Sequence, residues 1–196
     1  MIFDIVTVYH NEDNQRLADK LEFSLKHFHY GSFNLIKHSN MEQNLGFAKG
    51  CNVGASKGSA PYLGFLNPDV DVYGPIIDIL MEAFDAGADI TGDDFGKPDA
   101  EKKIWGCSQW ICGAAFFIRR SVWEELGGFD EAFVWGWEET DLIRRAQLKN
   151  FVVKAVELPI RHESPTYNSD EDHEYKNRHF NNGAAIFTKK WGRNVR

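Results

Sequence analysis

Ile2-Phe3-Asp4-Ile5-Val6-Thr7-Val8-Tyr9 is a β-rich, mostly apolar run, and Gln15 to Phe28 after it carries Leu17, Leu21, Leu25 and Phe28 at spacings of three or four. The first has the pattern of a strand covered on both faces; the second is one apolar face of a helix. His10-Asn11-Glu12-Asp13-Asn14 separates them as a polar break. Together they make a β-loop-α unit, the opening of an alternating fold. Outward from it, a strand is expected at Phe33 to His38, a helix from Gly46 to Lys57 stopped by Gly58, and an apolar strand at Pro61-Tyr62-Leu63-Gly64-Phe65-Leu66. A helix over Pro75 to Ala86, a strand near Ala88 to Thr91 and an exposed loop from Gly92 to Lys103 follow. Ile111 to Ile118 then reads as a core strand, Ser121 to Leu126 as a helix capped by Ser121 and stopped by Gly127-Gly128, and Glu138 to Lys149 as a helix with acids first and bases last. Phe151 to Val156 gives a late strand, and Ala184 to Trp191 can dock a last helix. No repeat or linker divides the chain, so 1–196 is read as one α/β domain.

The 196 residues carry 43% hydrophobic and 14% aromatic side chains, enough for a core and too many for a disordered chain. A net charge of −7 argues against a surface built mainly to neutralise a phosphate backbone. The apolar stretches fall short of the ~20 residues of a membrane helix. Met1-Ile2-Phe3-Asp4-Ile5 has an acid where a signal peptide carries basic and apolar regions, which places the chain in a cytoplasm. Cys51, Cys107 and Cys112 lack zinc spacing, and Cys51 and Cys112 read as buried small thiols.

Three segments carry chemistry. Asn67-Pro68-Asp69-Val70-Asp71 closes an apolar strand with two acids two positions apart, a spacing that turns both to one side of an extended chain and suits Mg²⁺ or Mn²⁺; Asn-Pro-Asp is also good turn chemistry. Asn44-Leu45-Gly46-Phe47-Ala48 through Asn52-Val53-Gly54 offers either close backbone approach to a ligand or a helix packed through Gly50 and Gly54. Trp135-Gly136-Trp137-Glu138-Glu139-Thr140-Asp141 places acids behind two indoles, where they complement a helix dipole or serve a carbohydrate site with a general base. Cys112-Gly113-Ala114-Ala115 brings a small-residue backbone near that place, and Arg161-His162-Glu163-Ser164 follows the late strand.

In this order the segments resemble the inverting nucleotide-sugar glycosyltransferases of family two, with the GT-A fold, and particularly their rhamnosyltransferase-like branch; the likeness runs from about Ile5 to His162. The fold implied is a Rossmann-like domain with a mixed, mainly parallel central sheet, its nucleotide-binding half at about 1–71 and its acceptor-side half at about 105–196. The resemblance gives Thr7, Val8, Tyr9, Asn44, Gly46 and Asn52 to the nucleotide, with Asn67, Cys112 and Gly113 lining the nucleotide-sugar site. It puts Asp69 against the ribose and Asp71 on the metal, with His162 completing the metal site. The family's Glu-Asp pair falls on Glu138-Glu139, which makes Glu139 the general base and Asp141 its partner at the helix start. Lys37-His38-Ser39-Asn40 stands where the family reads the base through Asp-Asn-x-Ser-x-Asp. The implied activity is metal-dependent hexosyl transfer, with inversion, from a UDP- or dTDP-sugar to a hydroxyl of a glycan or small molecule. A non-catalytic sugar-nucleotide or glycan-binding module would be marked by loss of a metal acid or of the base, yet Asp69, Asp71 and Glu139 are all carboxylates. Modified DNA is the alternative acceptor, for which Lys189, Lys190, Arg193 and Arg196 would form the phosphate-contacting patch.

Overall fold

The computed structural model describes residues 1–29, 31–96, 106–162 and 170–192. Its elements, in chain order, are β1 (Phe3–Tyr9), α1 (Glu12–His29), β2 (Phe33–Ser39), α2 (Phe47–Ala55), β3 (Tyr62–Leu66), β4 (Val70–Val72) and α3 (Ile76–Asp85). There follow β5 (Ile90–Gly92), β6 (Ala115–Arg119), α4 (Arg120–Leu126), α5 (Glu138–Leu148), β7 (Val153–Ala155), β8 (Ile160–His162) and α6 (Asp170–Trp191). A six-stranded sheet runs β2-β1-β3-β6-β5-β7. β1 is parallel to β2 and β3, β5 is parallel to β7, and β6 alone runs against its neighbours β3 and β5. Because Leu66 at the end of β3 pairs with Ala115 at the start of β6, the residues entering β6 lie at the same sheet end as those leaving β3. A separate two-stranded ribbon pairs β4 with β8.

Each face of the sheet has its own apolar layer. On one, Val6, Phe65, Phe116 and Ile118 pack with Ala48, Cys51, Trp123, Leu142 and Ile143 from α2, α4 and α5. On the other, Phe3, Ile5 and Phe117 meet Leu21, Leu25, Leu80 and Phe84 from α1 and α3. Helices on both faces explain why β1 reads as a continuous apolar run. The glycine segment does what helix packing asks of it: a Cβ on Gly50 would lie 2.9 Å from Val8 Cγ1, and one on Gly54 would overlap Val6.

Several expectations need correction. Strand structure begins only at Ala115, because the Cys112 N–H donates to the Asp93 carbonyl (2.9 Å) and the Ala115 N–H turns back to the Cys112 carbonyl (3.1 Å). Ser121 does not cap α4, which starts at Arg120 after an extended Arg119 and has no side-chain cap. The last helix begins at Asp170, well before Ala184. Gly92 ends β5, and most of the loop expected to Lys103 lies outside the described residues. Cys51 and Cys107 are buried and Cys112 is half-buried; none of the three is in a disulfide.

Candidate active site

At the carboxyl ends of β1 and β3 the strand order forms the crevice in which open α/β sheets place ligands. Thr7 is buried at the end of β1 with no hydrogen-bond partner for its Oγ1, and Val8 and Tyr9 beside it are half-buried. Asn67 follows β3; its N–H donates to the Ala114 carbonyl (3.0 Å), while its own buried Oδ1 has no partner. This bond ties the exit of β3 to the Cys112-Gly113-Ala114 bend.

Glu138 and Glu139 open α5 on the far side of that bend. A Cβ on Gly113 would lie 3.6 Å from Glu139 Cγ and Cδ and 3.7 Å from Glu138 Oε1, which places both glutamate side chains beside the Gly113 backbone. Trp137, before the helix, has φ 77° and ψ −12°, a left-handed conformation that costs a non-glycine residue about 1–2 kcal/mol. No side chain caps this helix start. Instead its N–H groups meet carboxylates: Glu139 accepts from its own N–H and from Thr140. Thr140 is buried, and its Oγ1 accepts from the Trp110 indole N–H (3.0 Å), which fixes the hydroxyl beside Glu139. Burial lifts the Glu139 carboxyl to about 7, even against those hydrogen bonds. Burial first, and then the charge of Glu139, hold Glu138 well above the usual carboxylate range. Each glutamate has one buried oxygen, Oε2, without a partner.

Asp141 is placed differently. Fully buried, it accepts from Arg145 Nε (2.8 Å) and the Trp191 indole (2.8 Å) and pairs with Lys190 Nζ (2.9 Å). Oδ1 ties α6 to α5 through Trp191 and Lys190, and Oδ2 is bound by Arg145 of the same helix, so both oxygens are committed within the fold.

The acid pair of the β3–β4 segment divides. Asp69 Oδ1 lies 3.3 Å from His162 Nε2, because Val70 pairs with His162 across the ribbon. Asp71 turns to Lys20 of α1 (2.5 Å) and to Arg161 (3.2 Å), cations that pull its carboxyl below the usual range. The expected trio is therefore not assembled: Asp69 and His162 meet, and Asp71 is paired elsewhere. The side-to-side rule failed because Asp69 belongs to the turn and only Val70–Val72 is extended. Among the described residues no group of three or more His, Cys, Asp or Glu side chains is disposed around a common metal position. His162 is in ring contact with Phe95 at 5.5 Å. Glu163 and Ser164 lie outside the described residues.

The asparagine-glycine segment is mostly committed to the fold. Exposed Asn44 accepts the Gly46 N–H through Oδ1 (3.0 Å). Gly46 has φ 79°, and a Cβ there would come 2.6 Å from the Val134 carbonyl, so it fastens the start of α2 to the loop before Trp135. The Asn52 amide is spent on Phe129, donating to its carbonyl and accepting its N–H at 3.0 Å each. Asp93 escaped sequence reasoning: its carboxylate accepts the N–H groups of Phe95 (2.6 Å) and Leu158 (2.9 Å), joining β5 to the approach to β8. A single aspartate after a three-residue strand carries no signal for that role.

Comparison with known proteins agrees with this architecture. A family model described as the N-terminal domain of galactosyltransferase matches residues 99–169. No curated protein matches the chain. Among solved structures, a mannosyltransferase from Pyrobaculum calidifontis in complex with GDP-Man and Mn²⁺ is similar at TM-score 0.69 and 11% identity, over 96% of this chain and 64% of that one. S. aureus TarS in complex with UDP-GlcNAc is similar at TM-score 0.60 and 14% identity, over 91% and 65%. A mutant Drosophila β-1,4-galactosyltransferase 7 in complex with manganese, UDP-Gal and xylobiose matches at TM-score 0.59 and 14% identity, over 85% and 73%. The chain thus spans about two thirds of the length of the first two. It has the GT-A glycosyltransferase fold, an α/β domain on a mixed sheet. Among the described residues no helix is long and apolar enough to cross a membrane.

Proposed function

We propose that the chain is an inverting hexosyltransferase that moves a sugar from a UDP- or dTDP-sugar to a hydroxyl of a glycan or small molecule, with Glu139 as general base. The observation that carries this reading is the Glu139 carboxyl itself, half-buried against Gly113 with an unpartnered oxygen and a proton affinity near neutrality. A base matched to the working pH accepts a proton without being permanently protonated. In single displacement the acceptor oxygen attacks the anomeric carbon from the face opposite the diphosphate, its proton passes to Glu139, and the electron pair of the breaking bond leaves with the diphosphate. Trp110 and Thr140 hold the base in place. Burial and the charge of Glu139 hold Glu138 well above the usual carboxylate range, which favours a neutral neighbour for the base. Asp141 belongs to this assignment as the residue that fastens the helix start.

What supports a divalent ion is the His162 imidazole, whose buried Nε2 makes no hydrogen bond although the hard oxygen of Asp69 lies 3.3 Å away, a combination that suits Mn²⁺ or Mg²⁺. Asp69 and His162 would hold the ion, and Asn67, Thr7, Val8, Tyr9, Cys112 and Gly113 would line the donor pocket. Bound there, the ion supplies positive charge to a diphosphate leaving group. Relatives in fold carry Mn²⁺ with GDP-Man or manganese with UDP-Gal, which supports the same choice of donor class. Lys190 is engaged by Asp130 (2.7 Å) and Asp141, which weakens the patch proposed for DNA; Arg193 and Arg196 lie outside the described residues.

The test is a panel of nucleotide sugars assayed for donor hydrolysis with Mn²⁺, in the wild type and in Glu139→Gln. Turnover of a UDP- or dTDP-sugar should fall by about 10²–10⁴ in the variant, with donor affinity within a few fold. Full turnover by Glu139→Gln removes it from the mechanism.

A further inference from the structure

Phe95 follows β5 in the run Asp93-Asp94-Phe95-Gly96 and has φ 49°, a left-handed backbone that is an outlier for a bulky side chain. Its ring leaves 37% of the residue's surface exposed, and among the described residues it joins neither apolar layer of the sheet. Core filling therefore does not account for an aromatic side chain at this position.

The local sequence sets the turn. An aspartate side chain can accept from the backbone two residues on, and here Asp93 Oδ1 takes the Phe95 N–H (2.6 Å) and Asp94 Oδ1 the Gly96 N–H (2.9 Å). The other oxygen of Asp93 accepts from the Leu158 N–H (2.9 Å), and the Gly92 carbonyl accepts from Val156 (2.9 Å). These bonds fasten the Phe95 turn to the segment that leads into β8, whose last residue is His162. The two rings consequently meet, with centroids 5.5 Å apart and planes at 44°. The same imidazole has its Nε2 3.3 Å from Asp69 Oδ1. A phenyl ring offers no hydrogen bond, so it limits where the imidazole can turn without competing for Nε2.

We propose that Phe95 is a positioning residue, its ring holding the His162 imidazole with Nε2 toward Asp69 so that the pair is arranged before a divalent ion and the donor diphosphate arrive. This rests on the nucleotide-sugar reading of the site. A side chain already held in one orientation loses less rotational freedom on binding, and groups that orient a ligating histidine typically change metal affinity by about 10–100-fold. A left-handed phenylalanine persists where the surrounding structure holds it, here through the Asp93 carboxylate.

The experiment is calorimetric titration of UDP and dTDP, with Mn²⁺, into the wild type, Phe95→Gly and Phe95→Tyr, together with a thermal melt of each protein in EDTA. Glycine adopts the left-handed turn freely, so Phe95→Gly removes the ring without straining the backbone and should melt within a few degrees of the wild type. It should bind the diphosphate about tenfold more weakly, whereas Phe95→Tyr, which keeps a ring on the same backbone, should stay within about twofold of the wild type. In a His162→Ala background, Phe95→Gly should cause no further loss, because the ring acts through the imidazole. Unchanged diphosphate binding in Phe95→Gly overturns the proposal, as does a Phe95→Tyr protein as weak as Phe95→Gly, or a further loss in the His162→Ala background. A melting temperature that falls along with the affinity would make the ring a strut of the fold and overturn it too. A wild type that binds neither diphosphate overturns the nucleotide-sugar reading itself, whereas a wild type that binds while Phe95→Gly is unaffected sinks the role of Phe95 alone.

Discussion

At Glu139 one environment sets both reactivity and stability. The carboxyl sits at about 7 in the fold against an ordinary 4.5, so between these values the folded chain holds more protons than the unfolded one. Stability therefore falls as pH rises through that window, and the same direction holds for Glu138. With Glu139 as the proposed base, transfer should rise with pH through about 7 and level off above it where product release does not limit the rate. Thermal melts at pH 5 and pH 8 should show a loss in the wild type that shrinks in Glu138→Gln and Glu139→Gln; an equal loss in all three would remove these carboxyls as its source. Asp69 and Asp71 allow an equally sharp comparison. Asp69→Asn and His162→Ala should weaken Mn²⁺-dependent nucleotide binding. Asp71→Asn should leave that affinity unchanged and loosen only the ties to Lys20 and Arg161, worth ~0–1 kcal/mol for exposed partners. A metal defect confined to Asp71→Asn would restore the spacing argument that the turn at Asp69 overrides.

The elements legible in the sequence were those whose own periodicity exceeds two turns or whose strand is covered on both faces. β1, α1, α3 and α5 fall within a few residues of their expected bounds, α1 from its apolar spacing and α5 from its acids first and bases last. The β4–β8 ribbon was invisible because three residues carry no pattern, and its pairing partner lies about 90 positions away. The reversal of β6 was hidden too, since an apolar strand has no sequence mark of direction. The roles of Asn52 and Asp141 depend on partners 50 to 77 residues distant, so motif position alone placed them near the ligand or the chemistry. Asp141 joins α5 to α6 through Trp191 and Lys190. Leaving Arg145, Lys190 and the Trp191 indole without their shared acceptor should cost about 3–5 kcal/mol, as loss of one member of a buried ion pair does. Asp141→Ala, which removes both oxygens, should therefore release α6 to limited proteolysis ahead of global unfolding. A variant whose α6 is as protected as the wild type's would show that the aromatic contacts alone hold the helix.

Across the whole molecule, a net charge of −7 and a mouth bearing Asp69, Glu138 and Glu139 are poor terms for a diphosphate. The raised proton affinity of Glu138 lessens the repulsion near neutrality but leaves Asp69. The crevice is assembled from parts distant in sequence, the ends of β1 and β3, the start of β6, the start of α5 and the β4–β8 ribbon, so a ligand bridging them should stabilise the fold as a unit. Such linkage adds about 2.7 kcal/mol at a hundred times Kd, which for a domain of this size raises the melting temperature by roughly 5–10 °C. We expect that rise for UDP or dTDP in Mn²⁺ and none in EDTA, because without the ion the Asp69 charge opposes the phosphates. Raising the salt concentration should reduce the Mn²⁺-dependent rise only modestly, since the contacts are short-ranged and partly buried. An equal rise in EDTA would mean that the chain's own cations suffice, and the donor site would then work without the Asp69–His162 ion.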